Sequence, residues 1–317
     1  MCAGGTRVCG GGPDRETDLT VCQSDFLMAR PVRRSVLGGS ALLCASWLLS
    51  GCSSALYGDA LYRLQLATAG KDVMWMPSSQ AISMAMLKAA NTQASDVVYD
   101  LGSGDGVIPI LAAKHFGSRA VGIEYNPDLV ELSRRNALRA GVADRTSFMK
   151  ADLFEVDFSK ASVVTLYLGE AINLKLVPRL EGLKPGTRIV SNRFDLGSWR
   201  ADRIINEVPD ELAMLWIVPA RLQGRWRTAS RIGLGFEAVE IIQSHQMIEL
   251  RTVGSGLAAR VGEGRISGMD VSIEIQHGQS APLSLRGSLS SDGQRLSLTA
   301  TADARLTNPQ AIELIRF

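Results

Sequence analysis

A glycine-rich loop that carries two carboxylates is the first feature of the sequence that could do chemistry. The segment DLGSGDG, residues 100–106, lies between the apolar run VVY and the mixed run VIPILAAKHF, which predicts a turn from a strand into a helix. Such loops usually bind phosphate. Here Asp100 and Asp105 would repel a diphosphate, and Val107 occupies the third glycine position of the dinucleotide fingerprint. The loop therefore favours a ligand with a positive charge and no phosphate.

Two further acids follow the next two predicted strands. Glu124 ends the run AVGIE, where a carboxylate can accept both hydrogen bonds of a ribose diol, and Asp152 follows TSFMKA, within reach of an adenine amino group. With Asp100 they make three acids at one sheet edge, a pattern that favours S-adenosylmethionine over a nicotinamide cofactor. Each acid taken alone could equally be a solvated carboxylate or a helix cap. The predicted cofactor residues are Asp100, Gly102, Ser103, Gly104, Asp105, Gly106, Glu124, Asp152 and Leu153.

The elements that must position these acids alternate between strand and helix over residues 56–200. Apolar runs such as DVVYDL, AVGIE and ASVVTLYL are separated by helical stretches, which predicts an α/β fold with a Rossmann-like parallel sheet. One helix is especially well specified: Asn126 can cap it, Pro127 suits its first position and Gly141 ends it. Glu131 and Arg135 are expected to pair along it.

The pattern changes after residue 214. Segments such as VEIIQSHQMIELRTV, RISGMDVSIEI and QRLSLTATA alternate apolar and polar residues, with turn sequences such as SDG between them. They predict a small antiparallel β domain, either a barrel or a sandwich. The predicted organisation is therefore a leader over 1–52, an α/β domain over 56–214 and a β-rich domain over 215–317 that does not bind the cofactor.

Four segments together resemble a known family. DVVYDLGSGDG, AVGIEYNPDLVELSRRNA, KADLFEVDFSKASVVTLYL and LKPGTRIVSNRF are similar in order, spacing and strand context to the seven-strand methyltransferases of the ATP-synthase c-subunit lysine methyltransferase family and its bacterial relatives. The resemblance covers residues 73–199. It implies S-adenosylmethionine-dependent N-methylation of a lysine in a protein substrate. It also implies that the cofactor is held by Asp100, Gly102, Gly104, Glu124 and Asp152. The residues alone, without the resemblance, leave a small molecule and a lipid as alternative methyl acceptors.

Two polar residues near the same sheet edge are the predicted catalytic residues. A lysine nucleophile must be neutral to attack a methyl group, so desolvation has to lower its pKa from about 10.4. Tyr167 after the fourth strand and Asn192 in the fifth could each hold the amine by an oxygen acceptor. Trp75 and Met76 could wall the methyl channel, although core packing would explain them equally well.

Composition gives little support for nucleic acid or a metal ion as a ligand. The 317 residues carry a net charge of +2, which gives no reason to expect nucleic acid as a partner. His245 and His277 lie in the β region without ligand-like partners, so no metal site is expected, and His115 is expected to cap the end of a helix. All cysteines fall within the first 52 residues, so the body needs neither disulfides nor a cysteine-ligated metal: Cys2, Cys9, Cys22, Cys44 and Cys52.

The leader has the three-part organisation of an export signal. Residues 28–34 are basic, residues 35–50 are apolar, and LSGC at 49–52 resembles a bacterial lipobox. The segment RRSVLG also resembles a twin-arginine signal. We therefore expect a lipoprotein anchored to the membrane through a lipidated Cys52 and exported to the periplasmic side. The alternative is an uncleaved anchor with the protein on the cytoplasmic face. An exported lipoprotein could also be non-catalytic and keep the fold as a binding or scaffold module.

Overall fold

The computed structural model describes residues 57–229, 237–253, 259–276, 282–300 and 311–317. The predicted leader with Cys52 and the side chain of His277 lie outside these ranges. Within them, no helix has the length and apolar character needed to cross a membrane. The elements up to residue 217 are, in chain order, β1 Tyr57–Gly58, β2 Arg63–Leu64, α1 Gln80–Ala89, β3 Val97–Leu101, α2 Val107–Phe116, β4 Arg119–Glu124, α3 Pro127–Arg139, β5 Thr146–Lys150, β6 Val163–Leu166, α4 Glu170–Glu181, β7 Arg188–Asn192, β8 Arg203–Ile205 and β9 Ala213–Ile217.

Seven of these strands form one mixed sheet in the order β5-β4-β3-β6-β7-β9-β8. The first five in that order are parallel, and β9 and β8 are antiparallel additions at one side. Strand order reverses between β3 and β6, which is where open α/β sheets bind ligands beyond the carboxyl ends of their strands. The predicted Rossmann-like seven-strand sheet is confirmed, and it brings the ends of β3, β4 and β6 to one edge.

Helix α3 shows how local sequence fixes the elements around that edge. The Asn126 side chain accepts a hydrogen bond from the backbone N–H of Asp128, Pro127 is the first helical residue, and Gly141 follows the helix with φ +71°. These are the predicted signals. The predicted direct pairing along the helix is wrong, because Glu131 accepts from Arg134 at 2.5 Å whereas Arg135 donates to Asp59 at 2.7 Å. Arg135 thereby ties the N-terminal segment to α3.

The C-terminal strands close into a barrel. Each strand is antiparallel to the next, and the last pairs with the first. The interior is filled by buried apolar side chains, with Trp226 fully buried among them. Of the two predicted β architectures, the barrel is the one that forms. Its strands are β10 Gly224–Thr228, β11 Ala238–Ser244, β12 Met247–Thr252, β13 Arg260–Ser267, β14 Asp270–Ile275, β15 Leu283–Leu289, β16 Arg295–Ala300 and β17 Ala311–Arg316.

The chain passes from the seven-stranded sheet to the barrel after residue 217. The predicted boundary at 214–215 falls inside β9, whose residues through Ile217 pair with β7 in the first sheet. Contacts also cross the junction: the Ala220 N–H donates to the Gly268 carbonyl oxygen at 2.7 Å, and Arg265 forms an ion pair with Asp202. The division into separate domains therefore stays a prediction, with the first sheet three residues longer than the sequence indicated.

Candidate active site

Three glycines give the loop after β3 its shape. Gly102, Gly104 and Gly106 have φ values of +81°, +54° and +84°, a region that side chains other than glycine rarely adopt. Space is also limited, because a Cβ on Gly104 would lie 2.5 Å from Nε1 of Trp75 and one on Gly102 would lie 2.5 Å from Cδ2 of Leu168. The loop therefore presents bare backbone toward the space above the sheet edge.

Asp100 is the next-to-last residue of β3, just before this loop, and is buried. Its Oδ1 accepts a hydrogen bond from the Thr165 hydroxyl at 2.6 Å. Burial raises the pKa of Asp100 to about 7, and the nearby acids Glu124 and Asp105 add to the rise while the Thr165 hydrogen bond opposes it. Burial likewise raises the pKa of Asp105. These acids lack a cationic partner among the described side chains, and a bound cation would stabilise their charged forms.

Glu124, at the end of β4, connects the neighbouring strand to the loop. Its Oε2 accepts from the backbone N–H of Gly104 at 3.0 Å, and its Oε1 accepts from the N–H of Asn126 at 2.9 Å. Both oxygens are held in place by these donors. Each retains a second lone pair, so the carboxylate can still accept hydrogen bonds from a ribose diol.

Two cavities open on either side of Gly102. Glu124, Asp152 and Leu153 line the first, and Asp100, Ser103, Gly104 and Asp105 line the second. Both linings include Trp75, Met76, Gly102 and Tyr167. An elongated ligand with an adenosine end and a cationic amino-acid end fits this division, with its sulfonium near the shared residues.

The hydroxyl of Ser103 lies against β4, where a Cβ on Gly122 would come within 2.6 Å of its Oγ. This side chain is buried, and its Oγ has no hydrogen-bond partner in the described part of the chain. A buried hydroxyl without a partner is costly. Ser103 lines the second cavity, and a contact of its hydroxyl with the cofactor stays a prediction. Gly106, by contrast, lies outside both linings: a Cβ there would meet the Phe148 ring at 2.9 Å, and its role in binding stays a prediction.

Asp152 is engaged by a residue that the sequence did not point to. Lys71 forms an ion pair with its carboxylate, and the pKa of Asp152 is lowered by that contact and by the N–H of Phe154, which donates at 2.9 Å. The Lys71 Nζ also lies 5.2 Å from the centre of the Tyr125 ring. An adenine amino group would have to share Asp152 with Lys71 or displace it. No local pattern marks this pairing, since the partners are 81 residues apart.

The two predicted catalytic residues occupy different positions. Tyr167 lines both cavities and stacks against Phe194, with ring centres 6.1 Å apart. Asn192 is buried beside the second cavity rather than in its lining, and its Nδ2 donates to the Ser78 hydroxyl at 3.4 Å. Ser78 itself lines the second cavity. Tyr167 can therefore contact an acceptor directly, and Asn192 can act on it through Ser78.

No group of three or more His, Cys, Asp or Glu side chains is placed to hold a metal ion in the ranges that the structure describes. The residues that line the two cavities offer carboxylates, backbone N–H groups and the hydroxyl of Tyr167. Such a donor set binds cationic and polyhydroxylated ligands.

Comparisons with known proteins agree with this geometry. Residues 100–203 match the family described as ANTKMT methyltransferase domain. A protein-lysine N-methyltransferase of Saccharolobus islandicus (strain REY15A) is 42% identical over 135 residues, covering 42% of this chain and 84% of that protein. The ATP-synthase c-subunit lysine N-methyltransferase of Xenopus laevis is 34% identical over 169 residues, covering 53% and 74% respectively.

A solved structure also matches, the RNA methyltransferase from Salinibacter ruber in complex with S-adenosyl-L-homocysteine. It is 47% identical, covers 46% of this chain and 96% of that one, and superposes with a TM-score of 0.45. The family match lies within the α/β part and ends before the barrel. The predicted methyltransferase function and its cofactor, S-adenosylmethionine, are confirmed. Because the chain covers 84% of the Saccharolobus relative at 42% identity and 74% of the Xenopus relative at 34% identity, it belongs to the family of protein-lysine N-methyltransferases.

Proposed function

We propose that this methyltransferase transfers the methyl group to the side-chain amine of a lysine in a protein substrate. The observation that carries the proposal is the position of Tyr167, whose side chain lines the cavity on both sides of Gly102. The names of the similar proteins, which are protein-lysine and ATP-synthase c-subunit lysine N-methyltransferases, support a lysine acceptor.

The residues around Tyr167 can align and desolvate an amine. When bound, S-adenosylmethionine supplies an electrophilic methyl on a sulfonium. Its methyl group would pass to the lysine nitrogen, with the C–S bonding pair left on sulfur and a proton lost from the methylated amine to solvent. Trp75 and Met76 cover the reacting centre, which excludes water and favours the neutral amine. The Tyr167 oxygen accepts a hydrogen bond from the amine and orients its lone pair.

The acceptor is tested by following the methyl group. The purified chain is incubated with S-adenosylmethionine labelled in its methyl group and with an extract of the source cells, and the label is traced by mass spectrometry after separation into protein, RNA, lipid and small-molecule fractions. We expect label on lysine side chains of a protein. Label confined to RNA, lipid or a small molecule would contradict the lysine proposal and leave the methyltransferase assignment in place.

We also propose that Cys52 carries the lipid anchor and that the protein is exported to the periplasmic side of the membrane. The order of the basic segment, the apolar segment and LSGC supports this proposal. Cys52→Ala should abolish incorporation of labelled fatty acid into the full chain, while Cys44→Ala, in the apolar segment, should leave it unchanged. Equal labelling of the parent and the Cys52→Ala variant would rule the anchor out.

A further inference from the structure

The turn between β11 and β12 of the barrel contacts the methyltransferase part through two residues, of which His245 makes the most contacts. His245 lies in this turn with φ +52°. Its Nδ1 lies 2.5 Å from Glu181 Oε1 and its Nε2 lies 3.0 Å from the Ser198 hydroxyl. Because a carboxylate can only accept, Nδ1 donates to Glu181, and in the neutral ring Nε2 accepts from Ser198. One side chain thus joins the end of α4 to the segment that follows β7.

Two further contacts hold the same segment. The His245 ring stacks on Trp199, with centres 5.7 Å apart and planes 6° from parallel. The next barrel residue, Gln246, is 1% exposed and donates from Nε2 to the Arg200 carbonyl oxygen at 2.6 Å. Two consecutive residues of the barrel therefore bind three consecutive residues of the methyltransferase part.

The segment that they bind contacts Tyr167, although its own residues lie outside the linings of both cavities. We call residues 193–200 the β7–β8 loop. Phe194 in this loop stacks on Tyr167. Asn173 of α4 donates from Nδ2 to the carbonyl oxygens of Phe194 at 3.1 Å and Asp195 at 3.2 Å. Helix α4 begins at residue 170, just after Tyr167, and ends at Glu181. The barrel turn therefore contacts the C-terminal end of α4 and the loop that carries Phe194.

We infer that the turn carrying His245 and Gln246 is a positioning element for the acceptor site. By fixing the β7–β8 loop and the end of α4, it holds Phe194 against Tyr167 and so sets where the amine lies. No hydrogen bond or ion pair of the turn reaches the glycine loop in the part of the chain that the structure describes. The turn consequently affects kcat/KM for the acceptor and leaves the Kd for S-adenosylmethionine unchanged. This inference rests on the proposed function only in taking Tyr167 as the residue that contacts the acceptor.

The test uses a variant that keeps the turn and removes its contacts. His245→Asn suits this purpose because asparagine tolerates positive φ, while its shorter side chain loses the ring stacking and the reach to Glu181. Glu249→Gln in the same hairpin is the matched control, since the partner of Glu249 is Arg251 in the same strand. Both are made in the full chain. Hydrogen exchange, the Kd for S-adenosylmethionine and the kcat and KM for the acceptor are measured for each.

For His245→Asn we expect exchange in residues 194–200 to rise about tenfold, because the variant loses both the hydrogen bond to Ser198 and the ring stacking on Trp199. Exchange in residues 100–106 and the cofactor Kd should match the parent within about twofold, while kcat/KM for the acceptor falls about tenfold. Glu249→Gln should match the parent throughout.

Unchanged exchange in residues 194–200 would overturn the inference whether or not an acceptor has been found. A fall in cofactor affinity as large as the fall in kcat/KM would also overturn it, because the turn would then stabilise the whole fold rather than the acceptor side. If the parent methylates no lysine, the proposed function fails separately, and the exchange result still decides whether the turn holds the loop.

Discussion

Replacing Asp100 by asparagine should have opposite effects on stability and on cofactor binding. The substitution keeps the shape of the side chain and an oxygen that can accept the Thr165 hydrogen bond, and it removes the charge. Asp100 is 4% exposed, and burial raises its pKa to about 7 from an ordinary 3.8. In the cofactor-free protein this carboxyl therefore keeps its proton up to near-neutral pH.

The effect on stability follows from that difference in pKa. A carboxyl whose folded pKa is raised contributes stability that is fully present below pH 3.8 and is lost as the pH rises through 7. From pH 5 to about pH 7 the loss amounts to about 2–3 kcal/mol, at about 1.4 kcal/mol for each pH unit. Asp100→Asn does not titrate, so relative to the parent it should gain about that much stability between pH 5 and pH 7.5.

Cofactor binding should respond in the other direction. The ionised Asp100 attracts the ammonium end of S-adenosylmethionine, and a hydrogen bond to a charged group is worth about 1.5–3 kcal/mol. The variant should therefore bind S-adenosylmethionine about ten- to a hundredfold more weakly at pH 7.5. The affinity of the parent should fall as the pH drops below 7, because protonation of Asp100 removes its charge.

The assay combines chemical denaturation and calorimetric titration at pH 5, 6 and 7.5 for the parent, Asp100→Asn and Asp144→Asn. Asp144 is exposed and forms a loose ion pair with Arg145 at 3.7 Å, so its variant controls for the loss of one acid. Two results would refute the reasoning. One is a free energy of unfolding that depends on pH in the same way in the parent and in Asp100→Asn, and the other is an unchanged Kd for S-adenosylmethionine in Asp100→Asn.

Three further substitutions test other parts of the site. Gly104→Ala should weaken S-adenosylmethionine binding more than tenfold by calorimetry, because the new Cβ would lie 2.5 Å from the Trp75 indole. Gly141→Ala is the control: φ is +71° there and the space is open, so this variant should lose stability and keep the parent's Kd for S-adenosylmethionine. Glu124→Gln should weaken binding about tenfold by the same assay, since the amide loses one of two acceptor oxygens; an unchanged Kd would exclude the ribose contact. Tyr167→Phe should lower kcat for the acceptor with an unchanged cofactor Kd, and equal kcat values would remove Tyr167 from the reaction.

The part of the site that could be predicted from the sequence is the set of acids at the carboxyl ends of the strands. Parallel strands place their carboxyl ends at one sheet edge, so acids that end successive apolar runs, such as Asp100 and Glu124, could be brought together from the sequence. The cap residues of α3 were predictable for a similar reason, because capping depends on residues only a few positions apart.

Contacts between distant parts of the chain were not predictable. The alternation after residue 214 suits a barrel and a sandwich equally, and only the pairing of β17 with β10 closes the sheet. Strand β9 extends the first sheet past the predicted boundary because it pairs with β7, which no turn signal marks. The pairing of Lys71 with Asp152 and of His245 with Glu181 joins residues 81 and 64 positions apart. Such pairs form only because the fold brings distant residues together, and the sequence around each residue carries no periodic pattern that predicts its partner.

A crystal structure of the full chain with S-adenosylhomocysteine tests the central claim most directly. We predict that the ligand spans the two cavities across Gly102, with its amino group at the Asp100 carboxylate, its ribose hydroxyls at Glu124 and its sulfur beside Tyr167. A ligand bound away from the loop of residues 100–106, or one with its adenosine end at Asp100, would contradict the account.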